Sequence, residues 1–150
     1  MFFNNFFILA STSKSRISIL KKLDLNFKTI KPTCNENLYI KKFKKLKYSP
    51  KKISLELSKK KAQSVSNKIM NKLIIGSDTV IDYKGKTINK AKTFLQAQKK
   101  LKKLSGNKHT LISSAAAYYN QKLIWLNHEK TIIKIRELSI LEIKKYLTRC

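Results

Sequence analysis

Leu73-Ile74-Ile75-Gly76-Ser77-Asp78-Thr79-Val80-Ile81 sets a carboxylate into the most apolar run of the chain. Its aliphatic flanks read as a strand buried in a sheet. A buried carboxylate requires a partner or a metal ion. Asp78 is therefore either a group with a chemical task or a strand-end aspartate that accepts backbone N–H groups of the next loop, and the run alone leaves both open.

Outward from that strand, helical and extended patterns alternate. On the N-terminal side, Ile53, Leu57, Val65 and Ile69 mark a long helix, preceded by a Lys-rich loop over 41–50 and a polar, poorly periodic stretch with Glu36. A short strand lies near 27–30. The apolar start, Met1 to Ala10, lacks a basic leader region and is too short for a membrane span, so it reads as a first buried strand. It ends in Ser11-Thr12-Ser13-Lys14-Ser15-Arg16, after which Ile17, Leu20 and Leu23 follow helical spacing.

On the C-terminal side, Tyr83-Lys84-Gly85-Lys86 is a turn into a short strand, and Phe94, Ala97, Leu101 and Leu104 trace a helix closed by Ser105-Gly106. Two or three strands follow between 109 and 138. Ser139-Ile140-Leu141-Glu142 has capping-box form and starts a last helix. The alternation predicts an α/β layer architecture, and residues 1–150 read as one domain with one core.

The chain holds 34 Lys and Arg against 8 Asp and Glu, a formal charge of +26. Arg16, Arg136 and Arg149 are its arginines, and the lysines spread along the whole length. Such a field attracts phosphorylated ligands and makes their binding salt-dependent. A nucleic-acid-binding module is the alternative it raises, supported by 7 Phe and 6 Tyr among the lysines but opposed by the lack of a clustered basic stripe. Cys34 and Cys150, without a CxxC pair or histidines at ligand spacing, argue against a zinc site or disulfide scaffold and fit a reducing, cytoplasmic setting.

Arg16 sits at a strand-to-helix turn with Ser11, Ser13 and Ser15, a combination of hydroxyls, helix N-terminal amides and a bidentate donor suited to phosphates; a Ser-capped helix with a solvated arginine would look the same. In a phosphoanhydride hydrolase Asp78 could hold a divalent ion or orient water. Glu36 would supply a second carboxylate, and Lys61 and Lys90 would neutralise a leaving pyrophosphate, though any one lysine here is ordinarily a surface residue. His109 and His128 have no Ser or Cys partner and read as structural.

The order of these motifs resembles the Maf family of nucleoside triphosphate pyrophosphatases. Leu9-Ala10-Ser11-Thr12-Ser13-Lys14-Ser15-Arg16 resembles the opening LASxSPRR, and Asn35-Glu36-Asn37-Leu38 the acidic EExL element. Leu57 to Val65 is similar to LAxxKAxAV, Ile75-Gly76-Ser77-Asp78-Thr79-Val80 to IGADTVV, and Asn89-Lys90-Ala91 to GKP. Leu101 to His109 resembles LxxLSGxxH. The resemblance implies a twisted mixed sheet flanked by helices, of the kind shared with inosine triphosphatases, and a cleft across it. It implies Asp78 as catalytic acid/base and metal position, Glu36 as a second metal ligand, Ser11, Ser13, Arg16, Lys61 and Lys90 around the phosphates, Mg or Mn as cofactor, and a nucleoside triphosphate as substrate. It also admits a homodimer.

Three departures stand out. Lys14-Ser15 replaces Pro-Arg, Ala91 replaces Pro, and the family's DKAGAYGIQG-like segment is not found before Cys150, which reads as a C-terminal truncation that would leave a sheet edge exposed and activity in doubt. A scaffold that binds nucleotide without turnover is thus a third reading. Ser15 and Ser77 are similar to the branch acting on methylated GTP, whereas Thr79 is similar to the pyrimidine branch; two positions against one lean toward methylated GTP.

Overall fold

In a computed structural model of the chain, which describes residues 6–149, strands and helices alternate as the sequence pattern requires. They are β1 Phe7–Ala10, α1 Lys14–Lys22, β2 Phe27–Thr29, α2 Glu36–Lys45, α3 Pro50–Ser66, β3 Leu73–Tyr83, β4 Lys86–Ile88, α4 Phe94–Leu104, β5 Lys108–Tyr119, β6 Lys122–Lys134 and α5 Ile140–Thr148. The part of the expected first strand over residues 1–5 lies outside the described residues. No helix among the described residues is long and apolar enough to cross a membrane.

The strands form one mixed sheet ordered β2-β1-β3-β5-β6, with β4 also on β3. β1 runs parallel to β2 and β3, while β3–β4, β3–β5 and β5–β6 are antiparallel. Strand alternation turns Ile74, Gly76 and Asp78 to the buried side. There α3 lies on the sheet, and Ile8, Ala10, Ala62, Val65, Ile74, Ala116 and Tyr118 fill the core between them. The helix can come this close because β3 carries glycine at the crossing. A Cβ on Gly76 would stand 2.5 Å from the Ala62 amide and nearer still to the Ser58 carbonyl oxygen.

Polar groups at this crossing are satisfied internally, as burial demands. Ser54 of α3 is fully buried; its hydroxyl lies 2.7 Å from that of Ser114 on β5 and donates to the Ile112 carbonyl at 3.2 Å. The Ser114 hydroxyl in turn donates to the Ser54 carbonyl at 2.7 Å. Helix and sheet are thereby stitched in one register, which fixes where the residues of α3 stand relative to β3.

Register also produces the feature on which the site depends. β1 accompanies β3 only from Ile74 to Gly76, and β4 joins the same edge only from Ile81 to Tyr83. Between them Ser77, Asp78, Thr79 and Val80 pair with β5 on one side but have no strand on the other. The sheet is notched there, and Asp78 lies in the notch.

One expectation is corrected. The polar stretch at Glu36 and much of the Lys-rich loop over 41–50 form α2, capped by Asn35, whose side chain accepts the Leu38 amide at 3.2 Å. Tyr39 and Phe43, four residues apart, stack on one face, and Phe43 is buried with Ile53 and Leu57. The remaining expected elements are present, with β5 and β6 as two long strands. Gly106 closes α4 at φ 70°, and Ser139 and Glu142 make the reciprocal capping box of α5. There an Arg136 hydrogen bond, then bonds from Ser139, hold the Glu142 carboxyl down to about 2.

Candidate active site

Asp78 is 3% exposed and its charge is met by Lys61, itself 4% exposed. Lys61 Nζ lies 2.7 Å from Asp78 Oδ1 and 3.1 Å from Glu36 Oε2, so one ammonium bridges two carboxylates. Each element contributes for a local reason. Ser58 and Ala62 of α3 press on Gly76, which leaves Lys61, on the flank of that contact, level with Asp78 two residues further along β3. Glu36 is the first residue of α2, where a negative charge is favoured by the helix N-terminus. Its side chain is 37% exposed and opens to the cleft.

That cleft, of about 940 Å³, is of a size suited to a small-molecule ligand. Glu36, Asp78, Thr79 and Lys90 line it, together with an apolar wall that includes Ile40, Ile53 and Leu57. Lys90 is exposed on the loop after β4, and its neighbour Asn89 accepts a hydrogen bond from Lys44 of α2 at 2.9 Å, tying the two lips of the cleft. Cys34 stands beside the charged group; burial, and next the Glu36 carboxylate, push its thiol pKa up.

Across the notch lies the turn into α1. Arg16 donates to Thr79 Oγ1 at 3.3 Å and to Ser11 Oγ at 3.4 Å, and Thr79 Oγ1 is 3.0 Å from Ser113 Oγ. Ser13 occupies the N-cap position of α1 but makes no side-chain cap; its hydroxyl lies 3.0 Å from that of Ser15. The residues expected from sequence therefore fall into two groups. Glu36, Asp78 and Lys90 line one cleft, with Lys61 buried against the two carboxylates; Ser11, Ser13, Ser15 and Arg16 do not line it, and of these Arg16 touches a lining residue, Thr79.

The carboxylates fit a divalent ion only in a particular mode. Among the described residues no three His, Cys, Asp or Glu converge as a metal cage. Mg²⁺, however, is commonly held by one or two carboxylates with substrate phosphates and water completing its shell. Asp78 and Glu36, each giving one oxygen to Lys61 and both lining the cleft, match that incomplete donor set.

Sequence reasoning missed Ser113, which extends the Arg16–Thr79 contact, and the α4 side of the cleft, Lys92, Gln96 and Lys100. The four-residue spacing of Gln96 and Lys100 could have placed them on one helix face, but nothing in it singles out a cleft.

A family model described as Maf-like protein matches residues 6–150. The chain belongs to the Maf family. Among its relatives, the 7-methyl-GTP pyrophosphatase of Bartonella quintana (strain Toulouse) is 37% identical over 93% of this chain and 70% of its own length. The dTTP/UTP pyrophosphatase of Ruminiclostridium cellulolyticum (strain ATCC 35319 / DSM 5812 / JCM 6584 / H10) is 33% identical, again over 93% and 70%. This Maf chain thus spans about 70% of the length of those two relatives. It is also similar to the solved structure of a HAM1 protein from Coxiella burnetii, at 15% identity and a TM-score of 0.49 over 84% of this chain and 69% of that one.

Proposed function

We propose that this Maf chain hydrolyses a nucleoside triphosphate to the monophosphate and pyrophosphate, with Asp78 as the catalytic acid/base. The observation that carries the reading is the Asp78–Lys61–Glu36 group set in a gap of the sheet edge, with Arg16 toward one side of the gap and Lys90 on the other.

The Lys61 contact uses Asp78 Oδ1, so the second oxygen is the one to meet a ligand. In the proposed step that oxygen orients a water molecule toward the α-phosphorus and takes its proton. The water oxygen bonds to phosphorus as the bond from phosphorus to the bridging oxygen breaks, and the electron pair leaves with pyrophosphate. Lys61, 2.7 Å from Oδ1, holds the Asp78 carboxylate in place, a positioning task. Arg16 and Lys90 take the charge that develops on the leaving group. Mg²⁺ or Mn²⁺, held by Glu36, Asp78 and the phosphates, would supply further neutralisation of the phosphates. The uncapped first turn of α1, with Ser11 and Ser13, offers amides and hydroxyls to the same phosphates.

For the base, Ser15 and Ser77 together with the 7-methyl-GTP pyrophosphatase relative favour 7-methyl-GTP, and Thr79 keeps dTTP and UTP as the competing substrates. The residues named for this step all come from one chain. The test is pyrophosphate release from 7-methyl-GTP, dTTP, UTP and the common triphosphates with Mg²⁺ or Mn²⁺. Asp78→Asn is expected to lose at least about a hundredfold in kcat. Equal release by Asp78→Asn and the unmodified chain would remove Asp78 from the chemistry.

A further inference from the structure

Lys100 is a half-buried residue of α4 that lines the cleft. It makes no hydrogen bond or ion pair among the described residues, whereas Lys61, the buried lysine of the same site, has two carboxylates. Removing an ammonium from water without an anion is unfavourable, and a cleft that does so is arranged for a ligand that brings one. Burial alone lowers the pKa of this amine, and no carboxylate opposes the effect.

Its neighbours define what that ligand must be. Gln96, one helical turn earlier, has its Oε1 taken by the Lys92 amide at 2.9 Å, which leaves its amide N–H groups as the donors to offer. Lys90 and Lys92 line the same lip. The lip therefore presents ammonium and amide donors, with Thr93 engaged in capping α4. The lining also includes Ile40 and, beneath the surface, the buried Ile53 and Leu57, apolar side chains that suit a flat base better than a charge.

Resting on the pyrophosphatase reading above, we propose that Lys100 is a substrate-binding residue that takes a phosphate oxygen of the pyrophosphate half of the nucleotide, beside Lys90 on the α4 lip. The pyrophosphate end thus lies along α4 and the base along α2 and α3.

The experiment compares Lys100→Met and Lys100→Arg with Lys102→Met, an exposed lysine on the same helix outside the cleft. It reads the KM of the preferred triphosphate, inhibition by inorganic pyrophosphate and inhibition by the nucleoside monophosphate. Lys100→Met is expected to weaken triphosphate and pyrophosphate together by about five- to twentyfold, to leave the monophosphate unchanged, and to be largely rescued in Lys100→Arg. Lys102→Met should match the unmodified chain. A folded Lys100→Met that binds pyrophosphate as well as the unmodified chain overturns the proposal. So does one that weakens the monophosphate and not pyrophosphate, since Lys100 would then face the base. If the unmodified chain turns over no triphosphate, the pyrophosphatase reading fails separately; calorimetric titration of pyrophosphate into both proteins then decides Lys100, weaker binding by Lys100→Met supporting the assignment and equal binding overturning it.

Discussion

Lys61 belongs at once to the packing of the fold and to the proposed site. Its ammonium is buried, and the two carboxylates it touches arrive from β3 and from the first turn of α2. Replacing it with Met keeps most of the side-chain volume but leaves Asp78 buried without its cation. The expected loss of stability is about 3 kcal/mol, at the low end for breaking a buried ion pair because Glu36 is partly solvated and bears less of the cost. Denaturant melts of Lys61→Met, Asp78→Asn and the double variant check this. The double variant should be more stable than the sum of the single losses predicts, because Lys61→Met strands Asp78 and Asp78→Asn leaves Lys61 with Glu36 alone. Strictly additive losses would mean that the 2.7 Å contact couples nothing.

Legibility in the sequence also differs residue by residue. Asp78 could be found because an acid in an oily strand conflicts with the local rule, and such conflicts mark sites that need a partner. Lys61 could be picked out from 31 lysines only through its place in the resemblance to the Maf motifs, since its burial follows from α3 folding onto β3 seventeen residues away in the chain. Lys100 gave no signal at all. A lysine on the wall of a cleft and a lysine in water have the same letter, and the difference lies in the cleft that α4 lines together with α2 and the end of β4.

At the scale of elements, strands and helices with strong apolar periodicity were readable, and α2 was not. Its one buried residue is Phe43, and lysines occupy most of its exposed face, so the Tyr39–Phe43 pair was diluted below notice. The notch was invisible for another reason: it is made by where β1 stops and β4 starts against β3, a matter of register between segments. The contact that sets this geometry is α3 on Gly76. A methyl group there meets the backbone of Ser58 and Ala62, which cannot swing aside as a flexible side chain would. Gly76→Ala must push α3 away, at a cost of about 3 kcal/mol or more, or roughly 6–12 °C in Tm. Because α3 carries Lys61, turnover at a temperature where the variant is still folded should fall as well, by about tenfold. A Gly76→Ala protein with unchanged Tm would show that the helix does not bear on the strand as described.

Across the whole molecule the charge of +26 acts in two opposite ways. Like charges spread over so small a surface repel one another and work against the compact state, while the same field draws polyanionic nucleotides toward the cleft. Salt screens both, with a Debye length of about 10 Å at 0.1 M falling to about 3 Å at 1 M. Raising NaCl from 50 to 500 mM should therefore raise Tm and raise the KM for the triphosphate, the first by several degrees and the second about five- to tenfold, with free Mg²⁺ held constant. The buried Asp78–Lys61 pair is shielded from this screening by its surroundings, so kcat should change far less than KM. Thermal scans and initial rates on one salt series give both slopes. The scattered placement of the lysines further implies that single-stranded nucleic acid is held weakly and indiscriminately under physiological salt. Retention that stayed submicromolar at that salt, with a slope of several released counterions, would instead mean that the lysines form a dedicated polyanion track and that the cleft does not account for the charge.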